Sequence, residues 1–72
     1  MEKKFRITIG SPIDYEELVA YIDIEGERIA LINKEEGVNK LKIEFFNEPP
    51  IDWVYFDVLI EAFQEAKKEL LK

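Results

Sequence analysis

The chain's pattern predicts an α+β fold: an antiparallel meander of four to five strands with one C-terminal helix packed on one face. Two observations carry that expectation. Apolar and polar residues alternate with period two through the first two thirds of the sequence, in stretches ended by glycine or proline. Only the last stretch, 58–71, switches to the 3.6-residue period of an amphipathic helix. Strands that precede a lone helix suit a helix laid across one face of a twisted sheet.

The first strand covers 5–9, with Phe5, Ile7 and Ile9 on one side, and Gly10-Ser11-Pro12 ends it. A polar connection over 13–17 follows. From Leu18 the alternation resumes through Ala20, Ile22 and Ile24, and Glu25-Gly26 fits a two-residue hairpin loop because glycine takes positive φ easily. That loop sets the register of a third strand over 27–34. Ile24 falls opposite Glu27, Ile22 opposite Ile29 and Ala20 opposite Leu31, while Asp23 meets Arg28 on the other face. Glu35-Glu36-Gly37 reads as a type I turn closed by a G1 bulge, placing Leu31 opposite Leu41 and Ile29 opposite Ile43. A buried row of Ile22, Ile29 and Ile43 is therefore expected. On the reverse face, Arg28 should lie between Asp23 and Glu44, within an uncovered surface that also carries Val19, Tyr21, Ala30, Ile32, Lys40 and Lys42.

Asn47-Glu48-Pro49-Pro50 must stop the fourth strand, since two prolines remove two backbone donors. Two readings of the next segment stay open. In the preferred one, 51–56 is a fifth strand, because Trp53-Val54-Tyr55-Phe56 is rich in strand formers, and Asp57 caps a helix over 58–71. In the other, Asp52 is the cap, Trp53 begins the helix, and Ile51 with Phe56 forms a hydrophobic staple. Either way Leu59, Ile60, Phe63, Ala66 and Leu70 trace the apolar stripe of the helix, opposite Glu61, Gln64, Glu65, Lys68 and Glu69.

A chain of 72 residues can build one core, so residues 1–72 are read as a single domain. At 47% hydrophobic content it is too apolar to stay disordered. No apolar run approaches the roughly 18 residues that cross a bilayer, and no signal-peptide pattern opens the chain, so a cytoplasmic protein is expected. Sixteen acidic against ten basic residues give a formal charge of -6, which opposes nucleic acid and anionic membranes as partners. The basic pairs Lys3-Lys4 and Lys67-Lys68 lie near the chain ends and read as solvated termini.

Residue types also bound the chemistry. Histidine and cysteine are absent, and Ser11 and Thr8 are the only hydroxyl residues of their kinds, so no nucleophile and base pair can be assembled. Carboxylates are plentiful, but acid and base work needs two of them in a cleft with separated pKa values. Glu16-Glu17 and Glu35-Glu36 lack the spacing of a calcium loop, and Gly10, Gly26 and Gly37 stand alone at strand ends rather than cradling phosphate. The chain is accordingly expected not to be an enzyme and to carry no cofactor or metal. Trp53 and Tyr55, with Phe56 on the opposite side of the proposed strand, form the densest aromatic cluster; their default reading is an extension of the core, and the alternative is a partner surface, since aromatics dominate interface hot spots. With Tyr21, Asp23, Arg28 and Glu44 on the uncovered sheet face, they are the candidate partner-binding residues.

The opening Thr8-Ile9-Gly10-Ser11-Pro12-Ile13-Asp14-Tyr15-Glu16-Glu17-Leu18-Val19-Ala20 and the close Leu59-Ile60-Glu61-Ala62-Phe63-Gln64-Glu65-Ala66-Lys67-Lys68 resemble small uncharacterised bacterial proteins of strand-meander-then-helix pattern. The resemblance defines no family and carries no functional motif. It implies the class of small acidic proteins, including immunity, antitoxin and phage anti-defence proteins, that inhibit a larger basic protein by covering its surface. No site residue is carried over. The alternatives are a self-associating structural module, which would make the protein a homo-oligomer, and a designed scaffold without biochemical activity.

Overall fold

The computed structural model describes residues 4–46 and 52–72. Four strands, β1 (Phe5–Gly10), β2 (Val19–Ile24), β3 (Glu27–Asn33) and β4 (Lys42–Phe45), form one antiparallel sheet in sequence order, followed by the helix α1 (Phe56–Leu70). The α+β meander is thus present with four strands. Helix α1 lies on β1 and β2. Its buried residues are Ala62, Ala66 and Leu70, spaced by four so that they fall on one stripe. Alanine at two of these contacts lets the helix backbone approach the sheet, where Ala20, Ile22, Ile24, Ala30 and Ile32 complete the core. Asp57 in the first turn and Lys67 and Lys68 in the last complement the helix dipole. From the end of β3, Lys34 donates through Nζ to the Leu70 carbonyl at 3.5 Å.

The first hairpin turns as expected. Glu25 and Gly26 have φ of 52° and 84°, both positive as a type I′ turn requires. Ile24 pairs with Glu27 and Asp23 with Arg28, but the register then shifts: Ile22 pairs with Ala30, Tyr21 with Leu31 and Ala20 with Ile32. Ile29 is the extra residue of a β-bulge, and Ile29 and Ala30 both enter the core. The expected pairs of Ile22 with Ile29 and Ala20 with Leu31 are therefore corrected. Beyond the bulge, Ala30 and Ile32 face the helix, whereas Leu31 and Asn33 face the other way. The cause lies in the run Ile29-Ala30-Leu31-Ile32, which is apolar throughout and so fits either register equally well.

The second connection also departs from expectation. Asn33 pairs with Lys42, Ile32 with Ile43 and Leu31 with Glu44, so the link is longer than three residues. Two successive turns build it, closed by Gly37 N–H to the Lys34 carbonyl at 3.0 Å and Lys40 N–H to the Gly37 carbonyl at 3.1 Å. Gly37 has a φ of 106°, a value side-chain-bearing residues rarely adopt. Leu41 opposite Leu31 and Ile43 opposite Ile29 are accordingly replaced. Ile43 does lie on the helix side of the sheet, yet it is 44% exposed, so the expected buried row stops at Ile22 and Ile29.

Residues 52–55 form no strand, which removes the fifth strand as far as the described residues reach, and neither Asp52 nor Asp57 is the helix cap. Tyr55 occupies the N-cap position with extended backbone and no side-chain hydrogen bond. Val54 packs on the core while Trp53 and Tyr55 are exposed, but Phe56, expected on the side opposite them, is exposed as well. What is lacking is a neighbouring strand to pair with. The expected break at Asn47-Glu48-Pro49-Pro50 and the role of Ile51 fall outside the described residues.

Candidate functional site

The sheet face opposite α1 is covered at one end, contrary to the expectation that it lay uncovered. Val19, Leu31 and Asn33 all lie on that face and all are buried. The connection 11–18 reaches from the β1–β2 edge to β4, where the Tyr15 hydroxyl donates to Glu44 Oε2 at 2.6 Å. The carboxylate of Glu35, from the turn after β3, accepts the backbone N–H groups of Glu16 at 2.9 Å and Glu17 at 2.8 Å. Two otherwise orphaned amides are satisfied by one side chain, which fixes the connection in place.

Buried Asn33 links these anchors. Its Nδ2 donates to Glu44 Oε2 at 2.5 Å, and its Oδ1 accepts the Glu35 N–H at 3.3 Å. Between the connection and β4 lies a shallow groove of about 430 Å³, lined mainly by Asp14, Tyr15, Asn33, Glu35, Lys42 and Glu44. Lys42 is engaged by Glu36, which raises the lysine's pKa. Glu44, by contrast, is held by two neutral donors and forms no ion pair among the described residues. The groove therefore carries the Glu44 carboxylate without a direct ion pair among the described residues, although Lys42 on its wall is close enough for the Glu44 charge to help raise the lysine's pKa.

Further along the same face, Arg28 grips Asp23 with a two-pronged contact, Nε to Oδ1 at 2.8 Å and Nη2 to Oδ2 at 3.3 Å. This hydrogen bond raises the arginine's pKa. The guanidinium also lies 4.4 Å from the centre of the Tyr21 ring, a cation–π contact. A Cβ at Gly10 would come within 2.8 Å of Tyr21 Cε2, so glycine at position 10 gives the ring its place. Tyr21, Asp23 and Arg28 are thus brought together as the sequence suggested. Glu44 shares their face but sits opposite Leu31 instead of beside Arg28, because the longer connection after β3 shifts β4 three residues along it.

Trp53 and Tyr55 lie elsewhere. Their rings meet edge to face at 5.2 Å, with the Lys4 ammonium 5.6 Å from the Tyr55 ring centre. They line a small cleft with Ile24, Glu25, Val54 and Val58, beside the first hairpin turn. Sequence reasoning missed Tyr15, Asn33 and Glu35. The available signal was the length of the β1–β2 connection, which a simple hairpin does not need and which therefore has to pack somewhere. Among the described residues no cluster of acidic side chains is arranged to hold a metal ion, and no helix is long and apolar enough to cross a membrane.

The contact with the Glu44 carboxylate pushes the Tyr15 pKa from 10.0 up to about 12, since ionising the phenol would turn a donor into a second anion. A raised folded-state pKa contributes stability that is present below pH 10.0 and is lost as pH rises through about 12. We expect an alkaline absorbance titration to show one phenol ionising near pH 12, and Glu44→Gln to return it toward 10.0. Superimposable titrations of the two proteins would contradict the assignment.

What these features define is a small α+β meander with a pinned acidic groove on the helix-free face of its sheet. No protein-family model matches the chain, and no match to it is found among curated proteins or solved structures.

Proposed function

We propose that this protein is a non-enzymatic protein-binding module of the immunity, antitoxin or anti-defence type, which inhibits a larger basic protein by covering part of its surface. The observation that carries this reading is Glu44, held in place by Tyr15 and Asn33 yet in no direct ion pair among the described residues. Such a carboxylate is preorganised to receive an arginine or lysine from outside, so little side-chain entropy is lost when it does. A formal charge of -6 adds long-range attraction for a basic surface. Tyr21 and Arg28 extend the face with residue types enriched at interface hot spots. The absence of histidine and cysteine supports binding without turnover.

Capture of the partner from extracts of the source organism, followed by association rates at low and high salt, tests the reading. Association should slow steeply as salt rises, because charges at an interface rim act mainly on encounter. Glu44→Gln and Asp14→Asn should each slow association roughly 2- to 10-fold at low salt, with the difference shrinking at high salt. A partner whose association ignores both salt and these substitutions would refute electrostatic docking.

A further inference from the structure

We propose that β4 is a self-complementary edge and pairs antiparallel with β4 of a second copy about a two-fold axis at Ile43, joining two sheets into one of eight strands. This interface goes beyond the partner-binding reading and does not rest on it. Among the described residues β4 has a neighbour only in β3, so its other edge is unpaired. Phe46 N–H bonds the Ile29 carbonyl at 3.2 Å. The alternation of an antiparallel ladder then turns the Leu31–Glu44 and Asn33–Lys42 pairs inward, and directs the backbone groups of Ile43 and Phe45 outward.

Charge selects the register. Opposing residues of an antiparallel pair share a face, so a two-fold axis must pass through a residue of the strand. Centred on Lys42, the axis sets lysine against lysine; centred on Glu44, glutamate against glutamate. Centred on Ile43, it sets Lys42 of each copy opposite Glu44 of the other, twice. The same centring places Ile43 against Ile43 and Phe45 against Leu41 on the helix side, where Ile43 is 44% and Phe45 63% exposed. Helix α1 lies mainly on β1 and β2, and its Phe63 ring meets Phe45 edge on at 6.3 Å. A lysine on an edge strand ordinarily deters pairing. Here Glu44, two residues on, turns the deterrent into a match with an identical strand.

Sedimentation of the full chain over a range of concentrations, without any other protein, tests the proposal. The mass should rise toward twice that of the monomer as concentration increases. Lys42→Glu and Glu44→Lys should each weaken the dimer roughly tenfold or more, since each replaces two attractive pairs by two repulsive ones. Mixed in equal amounts, the two variants should associate with each other, because every cross-strand pair is then opposite in sign. Ile43→Pro removes an outward-facing donor and leaves the ladder to β3 intact, so it should abolish the dimer while far-ultraviolet circular dichroism stays that of the folded chain. A chain that remains monomeric at millimolar concentration, or an Ile43→Pro variant that is folded and still dimeric, overturns the proposal. Salt-dependent binding to a basic partner is unaffected by either result.

Discussion

Truncating Ile22 to alanine should destabilise the protein by about 2–5 kcal/mol, the range for removing a large aliphatic side chain from a packed core. Ile22 is fully buried at the centre of β2, between Ile7 on β1 and Ala30 on β3. Alanine neighbours cannot expand into the space, because Ala30, Ala62 and Ala66 have no rotatable side chain to bring forward. A chain of this length has a total stability of roughly 4–11 kcal/mol, so the loss is a large share of it. Each kcal/mol should lower the melting temperature by about 4–8 °C. Thermal denaturation followed by circular dichroism measures the effect. Arg28→Ala is the internal control, since the Arg28 side chain is 43% exposed and ion pairs at the surface contribute about 0–1 kcal/mol. Equal losses in the two variants would contradict the assignment of faces.

Ala66→Leu should cost about 1–3 kcal/mol for the opposite reason, by overfilling the contact between helix and sheet. Leucine is nearly as good a helix former as alanine, so intrinsic propensity does not account for a loss of that size. Ala66 is fully buried, with Ala62 one turn before it and Leu70 one turn after. Three added carbons must lift α1 away from β1 and β2 or force side chains out of their rotamers. Urea denaturation gives the free energy, and Glu61→Leu on the exposed side of the helix should leave it nearly unchanged. Stability equal to wild type in Ala66→Leu would mean that the helix rests on the sheet less closely than described.

Much of the fold was legible because local chemistry and periodicity agreed. Glycine at position 26 marked the tight turn, alternation marked β1 and β2, and the 3.6-residue stripe marked α1. The register failed at Ile29-Ala30-Leu31-Ile32, where four apolar residues in a row remove the contrast on which alternation depends. Residues 52–55 failed for a different reason: strand propensity describes side chains that fit a sheet, but it supplies no partner strand. In the candidate site, the Asp23–Arg28 contact followed from the turn alone, being upstream of the bulge. Tyr15, Asn33 and Glu35 were hidden because each acts across distant parts of the chain, and Glu35 recognises backbone amides, which carry no signature of residue type.

The clasp between the first connection and the far edge of the sheet bears on cooperativity. A meander pairs only sequence neighbours, a topology that folds fast but allows its last strand to open as a separate unit. β4 is the strand most open to such fraying, since α1 packs on β1 and β2 instead. The hydroxyl of Tyr15 reaches Glu44 across 29 residues of sequence, and the Glu35 carboxylate reaches back 18 and 19 residues to two amides. These long-range ties couple the loosest edge of the sheet to the connection between β1 and β2. Fraying of β4 must also release the connection, so the two margins of this small domain share one unfolding transition.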